Sequence, residues 1–389
     1  MLNRSLVIKA LEDISDKLFE DKSLQTESAR AAWHALAQDP VFAQKVKTVQ
    51  SSWLVPLWGE FEHEQLDYAI PVSRYTDPYQ VISVDGSQIY PDRHQNSSCF
   101  LINIGIVILN YRMNHLVQEP RVQFSSVPHI LTGHEEVMPE GVSAIDLVNN
   151  KRQEFELATG YTVALEQQKI IKNKENKENT QLLVYDGSLI FWHLDAQNPE
   201  IKNKFLLRYL SSLYSSYESQ IVTASLISLP KSRELVNLVK LYVADFDIKN
   251  KDAYESIEHC IDTTIGNFFL RPYTRTTVFA HRSPLVSLYP ENIKPYFFYM
   301  HIGIEIVRVE IPKWVAQERD QVDMVASVML DQCIKGRGYP VAIAEAHEQA
   351  VVKGPDRDFF YHVLTKIGFD HKQRPLISQK SLKKRGMGI

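Results

Sequence analysis

Two stretches of this chain end alike: Val81-Ile-Ser-Val-Asp85-Gly86-Ser87 and Leu183-Val-Tyr-Asp186-Gly187-Ser188. In each, a short apolar, β-branched run stops on Asp-Gly-Ser. Such a run reads as a buried strand ended by a glycine, which accepts backbone angles that other residues avoid. A carboxylate at the end of a buried strand is costly unless something cationic offsets it. Two of them suggest one shared divalent-metal site, and the chemistry that fits is metal-dependent hydrolysis of a phosphodiester. One Asp-Gly alone is more simply a turn; the matched pair carries the inference.

Further elements must position those aspartates. Apolar residues at helical spacing predict one helix from Leu6 to about Glu20 and another from Ser28 to about Thr48, a helical appendage within residues 1–60. Residues 61–389 then form the main domain. After a Pro-containing connector, the first Asp-Gly-Ser strand is followed by apolar runs at Cys99 to Asn110 and Val122 to Val127, which predicts an antiparallel meander. Arg93 and His94 lie in the loop after Asp85 and could meet a phosphate. A helix is expected from Ser143 to Lys172, bearing Arg152, Glu154 and Glu156, then an exposed charged loop over 172–180. A helix that feeds the second Asp-Gly-Ser strand could lay a glutamate beside both aspartates.

Downstream, a helix from Ile201 to Gln220 precedes a strand at Ile221 to Ser228, which opens into Pro230-Lys231-Ser232-Arg233 and a helix from Glu234 to Tyr242. A basic loop before a helix N-terminus suits phosphate, because backbone amides there face the anion. Strand-like runs follow at Thr276 to His281 and Tyr296 to Ile311; alternation in the second puts Arg308 and Glu310 on one face and Glu305 on the other. Arg308 reads either as a phosphate contact or as the internal partner of Glu310. Gln321 to Lys335 is helical, Gly338-Tyr-Pro340 turns, and a last helix carries His347, where a lone histidine is more often a packed residue. The tail from Lys366 is the clearest basic cluster, with Lys383, Lys384 and Arg385 at its end.

The 389 residues, 44% of them hydrophobic and 23% charged, suffice for a large α/β core. No apolar stretch has the length of a membrane span, and charge interrupts the N-terminus too early for a secretory signal. Three scattered cysteines argue against a disulfide framework or zinc knuckle and fit a cytoplasmic protein. A net charge of −4 leaves any nucleic-acid contact to a local basic patch.

Paired Asp-Gly-Ser, Pro-Lys-Ser after a strand, Phe-Phe-Tyr, Arg-Val-Glu-Ile-Pro-Lys-Trp, Gly-Tyr-Pro and Glu-Ala-His-Glu occur here in that order. Together they resemble the NurA nuclease family, in its longer, cyanobacterial-like bacterial members. The likeness runs from about Ser83 to Arg385 and is closest over Phe297 to Arg357. It implies an RNase H-like mixed sheet flanked by helices, a homodimer, and Mn²⁺-dependent cleavage of DNA. It also implies a partner, the hexameric HerA ATPase, and a place in end resection at double-strand breaks. By this resemblance the site aspartates fall on Asp85 and Asp186, the helical glutamate on Glu156 after Arg152, and the late histidine on His347. Glu154 is the alternative glutamate, and the charged insertion over 172–180 lengthens the separation of Glu156 from Asp186. Lys231 takes the place of a basic or polar residue near the site.

With two Mn²⁺ or Mg²⁺ ions, Asp85 is expected to bridge the metals and Glu156 and Asp186 to complete either side. His347 is then a ligand, which tilts the preference toward Mn²⁺, or a proton carrier to the leaving group. Lys231, Arg308, Lys383, Lys384 and Arg385 are the candidate DNA contacts. The rival readings are a non-catalytic dimeric adaptor that guides DNA for the ATPase, and an RNA-directed RNase H-like enzyme.

Overall fold

The computed structural model describes residues 2–15, 23–49, 53–61, 65–91, 99–113, 122–132, 143–174 and 180–371. Short pieces β1 (Leu57–Trp58) and β2 (Ile70–Pro71) precede three long strands, β3 (Tyr79–Ile89), β4 (Cys99–Tyr111) and β5 (Val122–Thr132). These three pair antiparallel in sequence order, as the apolar runs predict. β3 and β4 are buried on both faces, which is why both are runs of Val, Ile and Leu. β5 is mostly exposed at the rim of the sheet, and so tolerates Ser125, Ser126 and Pro128.

On the other side of β3, β6 (Thr180–Asp186) and β7 (Thr223–Ile227) run parallel to it. Parallel neighbours need long crossovers, and two helices supply them: α4 (Ala144–Lys174) and α5 (Pro199–Glu218). Among the described residues, α1 (Arg4–Glu12), α2 (Ser23–Ala37) and α3 (Pro40–Thr48) precede these. After β7 come α6 (Glu234–Val243), α7 (Asp262–Gly266), β8 (Thr274–Arg275), β9 (Phe279–Ala280), β10 (Pro295–His301) and β11 (Ile306–Pro312). The chain continues through α8 (Lys313–Ala316), α9 (Arg319–Lys335), α10 (Val341–Ala350) and α11 (Gly354–Asp370). Among the described residues the sheet runs β1-β9-β10-β11-β7-β6-β3-β4-β5, with β8 beside β10 and β2 beside β8. The result is a mixed sheet flanked by helices. None of the described helices is long and apolar enough to cross a membrane.

The two helices nearest the aspartates lie on opposite faces. Successive strand residues point to opposite sides. A side chain at Gly86 would strike Glu156 and Arg152 of α4, whereas Ser87 Oγ and Asn103 Nδ2 both donate to Ala350 O at the end of α10.

Three expectations change. Gly86 does not end its strand, because β3 pairs with β4 as far as Ile89; only β6 stops at its Asp-Gly. The run Tyr296 to Ile311 is not one strand but the β10–β11 hairpin, turning at Gly303, and Glu305 falls in the turn. The N-terminal helices also divide. α1 buries nothing, while α2 and α3 bury Trp33, Leu36, Phe42 and Val46 in a second core with Leu235, Val239 and Phe269. That core draws on both sides of residue 60.

Candidate active site

β3 and β6 pair in parallel from Tyr79↔Thr180 to Ser83↔Val184. Two residues further on, the same register sets Asp85 level with Asp186, with both side chains on the face covered by α10. β6 then ends. Gly187 takes φ 84°, a value that favours glycine, and its N–H donates to Leu226 O on β7. Asp186 is left exposed at the strand end, while Asp85 is half-buried against β4.

α10 brings His347 over this point. Its Nδ1 lies 2.8 Å from Asp85 Oδ2, and Gly86 N donates to Asp85 Oδ1 at 2.8 Å. The imidazole is otherwise largely exposed, so His347 is not a packed core residue. Tyr339, in the turn before α10, donates its hydroxyl to Asp186 Oδ1 at 2.7 Å. Burial, that hydrogen bond and the charges of Asp186 and Asp85 hold its phenol well above the usual range.

Glu156 approaches from the α4 side through the gap that Gly86 leaves. An added Cβ there would lie 2.6 Å from Glu156 Oε1, so the close approach depends on a residue without a side chain. Glu156 is buried, and its Oε1 has no hydrogen-bond partner among the described residues. Arg152 Nε stands 3.5 Å away, also unpartnered, while its guanidinium donates to Gly86 O at 3.1 Å. Burial pushes the Glu156 carboxyl up to about 8; Arg152 pulls it down, and the charges of Asp85 and Asp186 raise it further. Three carboxylates thus feel one another across the edge of the sheet, a disposition that a cation would relieve.

As the side chains stand, no group of three or more His, Cys, Asp or Glu among the described residues is gathered closely enough to hold an ion. Asp85 is turned to His347, Asp186 to Tyr339 and Glu156 toward Arg152. The donor set still fits a hard divalent cation, since oxygen ligands suit Mg²⁺ and Mn²⁺ and one carboxylate oxygen is buried without a donor.

Glu154, the alternative glutamate, is engaged elsewhere, 3.0 Å from Arg208 and 3.2 Å from Lys151. Arg308 is buried, 2.8 Å from both Glu234 and Glu310, with its guanidinium 3.7 Å from the Phe297 ring centroid. It therefore cannot meet a DNA phosphate, and its reading as the internal partner of Glu310 is the one that holds. The anion site expected at the start of α6 is also filled from within. Asp262 accepts the backbone N–H groups of Glu234, Leu235 and Val236 at 2.8–3.0 Å. Lys231 sits exposed in the loop ahead of that helix. Lys383, Lys384 and Arg385, like Arg93 and His94, lie outside the described residues. Tyr339 is the site residue that reading for chemistry passed over; the Gly-Tyr-Pro turn eight residues before His347 was its only signal.

A family model described as the NurA domain matches residues 79–352. The crystal structure of the NurA nuclease from Sulfolobus solfataricus superposes with a TM-score of 0.51 at 15% identity, covering 95% of this chain and 98% of that one. Its likeness shows a shared fold. A structure of NurA with manganese matches with a TM-score of 0.38 at 9% identity, over 84% of this chain and 95% of that one. Another of NurA gives 0.40 at 10% identity, over 92% and 97%. No curated protein matches the chain.

Proposed function

The chain belongs to the NurA family, and on that premise we propose that it is a metal-dependent deoxyribonuclease whose active site is Asp85, Glu156, Asp186 and His347. The observation that carries this reading is the register of β3 and β6, which sets two aspartates side by side where β6 ends, with a buried glutamate reaching them past Gly86. An adaptor would have no use for a buried carboxylate with one oxygen lacking a hydrogen-bond donor, and its retention costs stability.

Asp85, Asp186 and Glu156 are the residues that would hold Mn²⁺ or Mg²⁺, as one ion or two. Bound there, the metal supplies positive charge at the phosphate oxygens and a water of lowered pKa. The protein's own groups do the rest. His347 is oriented by its Nδ1 contact with Asp85, which leaves Nε2 to pass a proton to the leaving oxygen or to bind the cation. Tyr339 fixes the carboxylate of Asp186. Glu156 carries a proton at neutral pH when no cation is present, and gives it up when one binds. Lys231, exposed in the loop ahead of α6, is the proposed contact to the DNA backbone and the basic tail a second, which would make binding salt-dependent and largely blind to sequence.

The meander with two parallel strands at its inner edge supports an RNase H-like classification of the core. The wider reading rests on the family resemblance: a homodimer with single-strand endonuclease and 5′–3′ exonuclease activity, working with a HerA-type hexameric ATPase in end resection. The test is cleavage of a labelled single-stranded oligonucleotide in Mn²⁺ by wild type, Asp85→Ala and Asp186→Ala. Equal activity in all three sinks the site, and preference for an RNA–DNA hybrid over DNA sinks the substrate.

A further inference from the structure

The α4 side of the sheet, from which Glu156 reaches the site, also carries a cavity of about 740 Å³. It follows α4 from Arg152 back to Asn149, is walled by Gln88 and Tyr90 of the chain beyond Gly86, and is closed by His193 and Gln197 ahead of α5. Gln88 belongs to this face because it lies two residues along β3 from Gly86. With a helical rise of about 1.5 Å per residue, Asn149 sits roughly 10 Å along α4 from Glu156. The cavity thus begins at Arg152, one helical turn along α4 from Glu156, on the face of the sheet opposite α10.

Its lining is the wrong kind for phosphate. A phosphate pocket gathers cations, but here the amides of Gln88, Asn149 and Gln153 prevail, Gln197 being paired with Asn150, and the acid Asp146 adds a negative charge. Arg152 is the standing cation of the wall. Burial, and then the charge of Arg152, pushes the pKa of His193 down, so that ring is neutral and offers one donor and one acceptor. Amides present the same paired donor and acceptor, which is how the edge of a nucleobase is read. The chamber is also held in shape. Gln88 Nε2 donates to Tyr90 Oη at 2.8 Å, and Tyr90 donates to Asn149 Oδ1 at 2.7 Å. That chain fixes the Gln88 amide with Oε1 lacking a partner among the described residues, as Arg152 Nε does. Neither atom reaches the surface of the chamber, and Arg152 Nε lies 3.5 Å from Glu156 Oε1.

We infer that this chamber receives the unpaired base of a nucleotide flanking the scissile phosphate, in a single strand whose backbone crosses Asp85 and Asp186. The inference rests on the nuclease reading above. A duplex could not present such a base without unpairing it, so the chamber selects single-stranded or locally opened substrate.

The experiment uses the full chain and labelled single-stranded DNA oligonucleotides, each with one abasic position stepped along the strand. Cleavage in Mn²⁺ and equilibrium binding in EDTA are both measured. One flanking position is expected to matter, its base-free version weakening binding and kcat/KM by about tenfold while the other positions change them little. In Gln88→Leu/Asn149→Leu that position-dependence disappears. A flat wild-type profile in both assays, with cleavage intact, overturns the chamber and leaves the nuclease. A position-dependent binding profile without cleavage in any divalent metal supports the chamber and overturns the nuclease. The wild-type scan decides the matter even if the double variant does not fold.

Discussion

Two groups of acidic side chains lie on the same sheet and are finished in opposite ways. Around β11, Glu234 and Glu310 share Arg308, Glu310 also accepts from Ser188 Oγ and Leu189 N at 2.8 Å, and Asp262 caps α6 and takes the Tyr299 hydroxyl at 2.6 Å. Burial works against the charge of Glu234, but Arg308 and His281 together outweigh it and hold the carboxyl well below the usual range. At the end of β6, by contrast, Asp186 is exposed, Asp85 is met by a largely exposed histidine, and Glu156 keeps an oxygen with no donor. The first group has its cation built in. The second has its carboxylates in place and its compensation incomplete, which is how a site that takes its cation from solution differs from one that braces a fold. Ser188, from the second Asp-Gly-Ser, ties the braced group to the strand end that carries Asp186.

The largest separation should come from aspartate and arginine variants. Asp85→Asn and Asp186→Asn are expected to lower Mn²⁺-dependent cleavage by at least about 10³-fold with the thermal midpoint held or raised, because they remove like charges from the open group. A loss below tenfold in oligonucleotide cleavage would break the comparison. Arg308→Leu should do the reverse: about 3–5 kcal/mol off stability in denaturant unfolding, because two carboxylates would stay buried unpaired. A fully stable Arg308→Leu that had lost only activity would mean the braced group is catalytic after all.

A smaller effect concerns pH. Glu156 is pushed from 4.5 to about 8 on folding, so the folded state holds this proton more tightly than the unfolded chain. Its contribution to stability is therefore complete below about pH 4.5 and is lost as pH rises toward 8. Metal-free wild type should lose thermal stability over that window more steeply than Glu156→Gln, and the difference between the two profiles removes the groups that do not feel the Glu156 charge. Mn²⁺ should restore wild type and leave the variant little changed. Parallel profiles would place Glu156 outside the carboxylate group. The smallest change is expected from Tyr339→Phe, which frees Asp186 Oδ1 without removing a charge; about a tenfold weaker response to Mn²⁺ is the scale of such a loss. Titrating cleavage against Mn²⁺ measures it, and an unchanged midpoint would make the contact incidental.

Local pattern carried a good part of this structure. The β3-β4-β5 meander, the long α4 and the helices after β6 and β7 follow from hydrophobic periodicity, which depends only on neighbours in the chain. The aspartate pair was legible because like motifs on like strands align when the strands run parallel. What remained hidden depends on residues far apart. Gly86 was read as a strand end, yet pairing with β4 carries the strand past it and turns the glycine into a doorway for Glu156. The amides that start α6 looked open to phosphate until Asp262, 28 residues from Glu234, arrived to fill them. Arg308 was legible as a charge on a strand, but which way it faced was settled by Glu234 on α6.

By itself, then, the sequence determined which side chains could bind a cation and which strands would carry them, since residue type and period are properties of the chain. Only the tertiary structure decided which acids were already neutralised and which were left wanting, since the partner that satisfies a buried charge comes from wherever the fold brings one within about 3 Å.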